Sequence, residues 1–278
     1  MSGDVLLEVK AASIQFGGLR ALSDFHLEVR QGDLKGLIGP NGAGKTTAFN
    51  ALTGVYAPTH GDILVRGRRI NGLKPHQINR LGLARTFQNI RLFKELSALD
   101  NVRVAVARTP APGDRGPWAA KFIDAARNYR DWWRAFIKTP AFQEEERDFT
   151  AQAESLLQVM GLSDRRDELA KNLPYGEQRR LEIARALGTR PRVLLLDEPA
   201  AGMNTREKAD LMVLIRQLRD QFSLGVLLIE HDMKLVMGIC ESITVLDHGE
   251  TIAVGAPAQV RSNPKVIEAY LGEAVAHG

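Results

Sequence analysis

Cysteine is almost missing from this chain: among 278 residues only Cys240 carries a thiol. No intramolecular disulfide can form and paired-cysteine metal sites are excluded, so a reducing cytoplasm is the expected setting. Long apolar runs are lacking too. No stretch approaches the roughly 20 apolar residues of a membrane-spanning helix, and the opening Met1-Ser2-Gly3-Asp4-Val5 has neither the basic start nor the apolar core of a signal peptide. Any membrane association is expected to run through partners or a surface. Neither sign of charge dominates: 37 Lys and Arg against 33 Asp and Glu leave +4. That is too mild by itself to imply nucleic acid, and no nucleic-acid partner is expected. No internal repeat is evident. The hydrophobic fraction of 44% is ample for a folded core.

What the chain does have is a glycine-rich loop in a specific setting. Gly39-Pro40-Asn41-Gly42-Ala43-Gly44-Lys45-Thr46-Thr47 fits the phosphate-binding pattern G-x-x-x-x-G-K-S/T. Leu34–Ile38 before it reads as a short buried strand and Thr46–Leu52 as the helix that follows. Gly39, Gly42 and Gly44 lack a Cβ, so the backbone can turn sharply and aim successive N–H groups at an anion. The helix start adds the positive end of its dipole. Lys45 supplies a mobile ammonium for the outer phosphates, and the Thr46 hydroxyl suits Mg²⁺. An ordinary glycine-rich turn would need neither the strand before nor the helix after. The stretch reads as a nucleotide site.

A second motif lies far downstream. Val193-Leu194-Leu195-Leu196 is an apolar run that calls for a buried parallel strand, and it ends in the adjacent carboxylates Asp197 and Glu198. At a strand's carboxyl end both can reach the phosphate loop: Asp197 to hold Mg²⁺, mostly through water, and Glu198 to polarise the water that attacks the γ-phosphate. The bland alternative is a surface acidic pair capping the next helix. Around these motifs, residues 5–38 alternate in short runs that suggest an antiparallel sheet edge, and Gly61–Gly67 and Ala84–Gln88 read as further strands. From about Ser97 to Leu187 the pattern is mostly helical. Beyond Val193, strands (Val193–Leu196, Val226–Ile229, Ile243–Leu246) alternate with helices (Thr205–Phe222, Asp232–Ile239), the pattern of a mostly parallel sheet, and a final helix opens at Asn263-Pro264.

Taken together the chain resembles the ATP-binding cassette ATPases, the nucleotide-binding subunits of ABC transporters, over nearly its whole length. The resemblance implies an α/β P-loop fold with a mostly parallel core sheet, an N-terminal antiparallel β-subdomain and an enlarged helical subdomain. It divides a single domain, 1–278, into a RecA-like core with the β-subdomain (5–96 and 190–256), a helical subdomain (97–189) and a C-terminal helix (257–278). It also assigns roles. Gln88 in Arg85-Thr86-Phe87-Gln88-Asn89 matches the glutamine that touches the metal site and couples it to the membrane partner. His231 in Leu227-Leu228-Ile229-Glu230-His231-Asp232 matches the switch histidine that contacts the γ-phosphate, and Phe16 matches the aromatic under adenine. Standing alone, Phe16 would pass for a core residue and His231 for a helix cap.

Two places depart from the family pattern. The signature loop, LSGGQ in the family, reads Leu173-Pro174-Tyr175-Gly176-Glu177 here. In the family it binds the γ-phosphate of ATP held by the other subunit. Pro174 has neither hydroxyl nor N–H, which leaves Tyr175, Gly176, Glu177 and the helix start to make the contact. The D-loop, Ala200–Asn204, has Asn204 where Asp is usual. These departures, with Ala84–Phe93, Glu198–Asn204 and the ending Asn263–Gly272, resemble the LIV-type branched-chain amino acid importer ATPases, the LivG-like group.

That likeness implies ATP and Mg²⁺ as ligands and a second ABC subunit, copy or paralogue. It also implies two transmembrane permeases, an extracytoplasmic substrate-binding protein reached through them, and a peripheral place on the cytoplasmic face of the inner membrane. Relatives that energise urea uptake or lipopolysaccharide export are the alternatives inside the family. A GTPase or small-molecule kinase would carry an NKxD motif or an acceptor lid, and no NKxD occurs. A soluble DNA-repair or translation cassette would carry a long coiled coil or a second cassette. Between Arg103 and Lys138, eight basic side chains face three acidic ones, and Trp118, Trp132 and Trp133 all fall there. This amphipathic stretch either packs on the cassette with its basic face solvated or meets anionic lipid or a permease.

Overall fold

Two long strands whose residues alternate between buried and exposed, β1 (Val5–Phe16) and β2 (Leu19–Arg30), pair antiparallel. β4 (His60–Val65) lies on the other side of β1 and carries the short β5 (Arg68–Arg69), giving a sheet of order β2-β1-β4-β5. The computed structural model describes residues 3–106 and 140–276. It divides into two units, Met1–Arg91 with Pro191–Gly278, and Leu92–Arg190.

The first unit also holds the second sheet. β3 (Leu34–Ile38), β6 (Leu83–Arg85), β7 (Val193–Asp197), β8 (Gly225–Ile229), β9 (Ser242–Asp247) and β10 (Glu250–Gly255) take the order β10-β9-β3-β8-β7-β6. All neighbours run parallel except β9 and β10. Every residue of β7 and β8 is buried, as both-face packing of a central parallel strand requires. One core joins the sheets: Leu7, Val9 and Phe25 from the antiparallel sheet meet Leu37, Leu195 and Leu227 from the parallel one, with Phe49 of α1 (Lys45–Leu52) among them.

Helices α2 (Pro75–Arg80), α6 (Thr205–Phe222), α7 (Met233–Ile239), α8 (Pro257–Arg261) and α9 (Pro264–Ala276) complete this unit. The start of α9 follows the sequence signal: Asn263 Oδ1 accepts from Lys265 N at 3.0 Å, directly before Pro264. Cys240, just past α7, is buried, and burial pushes its thiol up to about 12, which leaves it unreactive.

In the second unit α3 (Ala98–Val106) packs against α4 (Pro140–Val159) and α5 (Tyr175–Gly188). At Gly188 the packing of α5 on α3 is tight: a Cβ there would stand 3.1 Å from that of Ala105. The stretch with Trp118, Trp132 and Trp133 lies outside the described residues.

Two boundaries differ from the sequence expectation by three residues. The strand expected over Ala84–Gln88 ends at Arg85. There the chain turns its side chains to the neighbouring strand, Thr86 Oγ1 accepting from Asp197 N at 3.3 Å. The helix expected from Gln178 begins at Tyr175, because Pro174 (φ −53°, ψ 152°) suits the position just before a helix and Gln178 N already donates to Pro174 O at 2.9 Å.

Gly36, mid-strand in β3, packs tightly under α7: a Cβ there would sit 3.0 Å from Val236 Cγ1 and 3.1 Å from Cys240 Sγ. Gly36→Val is expected to lower the unfolding free energy by about 1–3 kcal/mol through overpacking, read from urea denaturation midpoints. An unchanged midpoint would contradict the packing described.

Candidate functional site

Register decides what meets what. In the parallel sheet Asp197 pairs with Ile229, and Ile229 with Leu37. Arg85 pairs with Leu195, two residues back. Four chain segments therefore leave the same carboxyl edge: the loop after Ile38, Thr86–Gln88 after β6, Glu198 after β7, and Glu230-His231 after β8. In open α/β sheets this edge is where ligands bind.

The loop Gly39–Gly44 is built from close approaches. A Cβ on Gly39 (φ 153°) would lie 2.0 Å from Leu246 O, and one on Gly44 (φ 101°) 2.8 Å from Ala21 O. Only glycine fits either place. α1 starts at Lys45 with no side-chain cap and no acidic residue in its first turn, so its positive end is not offset from within the helix. Lys45 is buried at 6% exposure, and its Nζ donates to Gly39 O at 2.6 Å and Pro40 O at 2.7 Å. The ammonium thus braces the loop from within. Thr46 is exposed, Thr47 half-buried, Asn41 and Gly42 exposed, and Ala43 buried.

Asp197 ends β7 in a buried ion pair, its Oδ2 accepting from Arg85 Nη2 at 2.7 Å with both side chains under a tenth exposed. Arg85 is held in turn by Asn50 Oδ1 at 2.8 Å and Thr53 Oγ1 at 3.3 Å, and its guanidinium lies 5.4 Å from the Phe49 ring centre and 5.3 Å from that of Phe87. α1 and β7 are thereby tied through one side chain.

Glu198 follows in a left-handed conformation (φ 47°), uncommon outside glycine. Its carboxylate receives two of the residues singled out from sequence: Gln88 Nε2 donates to Oε2 at 3.0 Å, and His231 Nε2 lies 2.5 Å from Oε1. Gln88 and His231 are exposed and Glu198 is largely covered, so the cluster sits at a surface with its carboxylate inward. Such an acid, flanked by an amide and an imidazole, can orient a water and accept its proton.

Phe16, at the end of β1, is 44% exposed and meets Tyr56 edge to face, ring centres 5.1 Å apart. Tyr175, Gly176 and Glu177 belong to the second unit and form the first turn of α5. There the fully buried Arg179 donates to the Tyr175 hydroxyl through Nη2 at 2.9 Å and to Glu182 Oε2 through Nη1 at 3.2 Å, while Glu177 Oε2 lies 3.3 Å from Arg165 Nε.

Some features of this edge escaped sequence reasoning. Arg85 gave no signal of its own beyond a charge at the end of a short apolar run. Glu230 is buried at 4%, its Oε1 accepting from Ala200 N at 2.8 Å. Burial pushes its carboxyl above the ordinary range; amides of Ala200 and His231 pull it back, and the charge of Glu198 adds to the rise. A glutamate closing an apolar strand was the available clue. Asn204 proves to be the cap of α6, accepting from Arg206 N and Glu207 N, each at 3.0 Å, while Glu207 Oε2 accepts from Asn204 N. Asn serves there as well as Asp, which accounts for that departure.

Residues 22–201 match the family described as ABC transporter, and residues 250–276 that described as branched-chain amino acid ATP-binding cassette transporter. The high-affinity branched-chain amino acid transport ATP-binding protein BraF of Pseudomonas aeruginosa is 47% identical over 97% of this chain and 98% of its own. The corresponding LivG of Escherichia coli K12 is 45% identical with the same coverage. Among solved structures, an ATP-binding cassette of an ABC transporter in its ADP conformation superposes with a TM-score of 0.78, at 27% identity over 96% of this chain and 99% of that one.

The Arg85–Asp197 pair generates a stability prediction. Arg85→Met strands a buried carboxylate and is expected to cost about 3–5 kcal/mol in urea unfolding. Arg69→Met, which breaks the exposed pair with Asp62, should cost under about 1 kcal/mol. Equal costs would contradict the buried setting.

Proposed function

Because the chain belongs to the ABC transporter family of ATP-binding cassettes, we propose that it is the ATP-hydrolysing subunit of an importer for branched-chain amino acids. The observation that carries the hydrolytic half is the meeting of Gln88, Glu198 and His231 at the sheet edge from which the phosphate loop also departs. The transport half is supported by full-length similarity to BraF and LivG and by the C-terminal match over residues 250–276, which favours amino acids over urea or lipopolysaccharide as cargo.

In this reading Phe16 stacks on adenine, and the amides of Gly39–Thr47, with Pro40, Asn41 and Ala43 shaping the turn, wrap the phosphates. Lys45 exchanges its loop carbonyls for the β- and γ-phosphates. Glu198 orients the attacking water and takes its proton, while His231 steadies the γ-phosphate and Gln88 fixes the other carboxylate oxygen. The Thr46 hydroxyl, the Asp197 carboxylate and the Gln88 amide oxygen are hard donors of the kind Mg²⁺ takes, too few for a closed cage and suited to an ion that keeps phosphates and waters as its other ligands. When bound with ATP, that ion neutralises charge on the β- and γ-phosphates. Arg85 holds Asp197 Oδ2 and so fixes the carboxylate that would serve such an ion.

The chain has one phosphate loop and one signature turn. The sandwiched family site then needs a second cassette, copy or paralogue, whose phosphate loop receives Tyr175, Gly176 and Glu177 of this chain. Two permeases and, through them, an extracytoplasmic binding protein complete the assembly on the cytoplasmic face of the membrane. Among the described residues no helix is long and apolar enough to span a membrane.

Glu198→Gln is expected to keep ATP affinity within about twofold while hydrolysis falls by about a hundredfold or more, measured by equilibrium nucleotide binding and steady-state phosphate release. Unchanged turnover would remove Glu198 from its role. Phe16→Ala should raise the Kd for ATP by about tenfold, the worth of one stacked base, with little change in Kd for inorganic triphosphate.

A further inference from the structure

The four residues Ile229–Asp232 engage the segment after β7 at successive points. Ile229 O accepts from Glu198 N at 2.9 Å, Glu230 Oε1 accepts from Ala200 N at 2.8 Å, and His231 Nε2 meets Glu198 Oε1 at 2.5 Å. Asp232 Oδ2 accepts from Lys208 Nζ at 2.8 Å. Three of these contacts are unsurprising: a backbone bond continuing the sheet, the hydrolytic pair, and a half-exposed ion pair. The Glu230 contact is different. It uses a carboxylate with almost no access to water, which is costly to bury, to hold backbone amides: that of Ala200 on the neighbouring segment, and those of His231 and Asp232 beside it.

The Ala200 amide sits at a weak point of the chain. Glu198 is held at φ 47°, a conformation that a non-glycine residue keeps only when its surroundings impose it. Pro199 follows and has no N–H to anchor. On the carboxyl side of Glu198, the first amide fixed by a group outside the turn is Ala200 N, bonded to Glu230; Ala201 N returns to Glu198 O within the turn itself at 3.2 Å. We propose that Glu230 is a positioning residue for hydrolysis: by fixing the Ala200 amide it keeps Glu198 in its left-handed conformation, with its carboxylate set between Gln88 and His231.

The inference rests on the reading of Glu198 as the residue that activates water. It turns on where the acceptor oxygen stands, not on charge. Glu230→Gln keeps an oxygen at the same reach and removes the charge. Glu230→Asp keeps the charge and withdraws the oxygen by one C–C bond, about 1.5 Å.

The test uses the full chain in its assembled transporter for steady-state ATP hydrolysis, and the isolated full chain for hydrogen exchange of the Ala200 amide by NMR. Glu230→Gln should keep kcat within about twofold, whereas Glu230→Asp should lose about tenfold or more in kcat with KM for ATP held within about twofold. Ala200 exchange should quicken in Glu230→Asp alone. Parental kcat in Glu230→Asp, equal losses in both variants, or a loss confined to KM would overturn the proposal. Glu198→Gln measured in parallel separates the two levels. If it still hydrolyses ATP, the reading of Glu198 falls and this inference with it; if it is inactive while Glu230→Asp runs at the parental rate, only the inference falls.

Discussion

The parallel pairing of β7, β8 and β3 is the constraint on which everything else depends. Asp197, Ile229 and Leu37 lie in one row across the sheet, so the segments that follow must emerge side by side. Yet β7 and β8 are buried on both faces, and for such strands an apolar pattern does not distinguish one register from its neighbour. Polar contacts at the carboxyl ends can. Arg85 to Asp197, Asp197 N to Thr86 Oγ1 and Ala200 N to Glu230 each join residues at or just beyond the carboxyl ends of different strands. The groups that set the register and the groups proposed to carry hydrolysis are thus neighbours in sequence and in space.

This explains which features could be read from the sequence. The phosphate loop was legible because its glycines answer local demands: Gly39 and Gly44 sit where any Cβ would strike a carbonyl oxygen. β7 was legible as an unbroken apolar run, and Glu198 as the residue just beyond it. The mostly parallel sheet followed from the spacing of strands and helices, and it is observed. Arg85, Glu230 and the Asn204 cap were not legible in the same way. Their partners lie 112, 30 and 2–3 residues away respectively, and for the first two no local pattern names the partner. Asn204 shows the opposite failure. Its partners are close, but family likeness drew attention to a lost charge where the local capping box explains the residue outright.

The signature departure has a structural counterpart as well. With Pro174 ahead of it, the turn Tyr175–Glu177 is already helical, and the exposed Tyr175 is tied by its hydroxyl to the buried Arg179. A loop that has lost the family's serine is instead stiffened from beneath. Its contribution in the assembled pair would come from amides at a helix start, the same device that the phosphate loop uses at α1. Each half of the composite site would then meet the nucleotide with a helix N-terminus.

The claim that binds these parts is that nucleotide is held at the carboxyl edge of the parallel sheet. Hydrogen–deuterium exchange of the full chain, with and without a non-hydrolysable ATP analogue and Mg²⁺, tests it most directly. The account predicts slowed exchange in peptides covering Gly39–Thr47, with smaller effects at Thr86–Gln88, Glu198–Ala200 and His231. Exchange left unchanged across Gly39–Thr47 at saturating nucleotide, or protection confined to the opposite edge of the sheet, would contradict it.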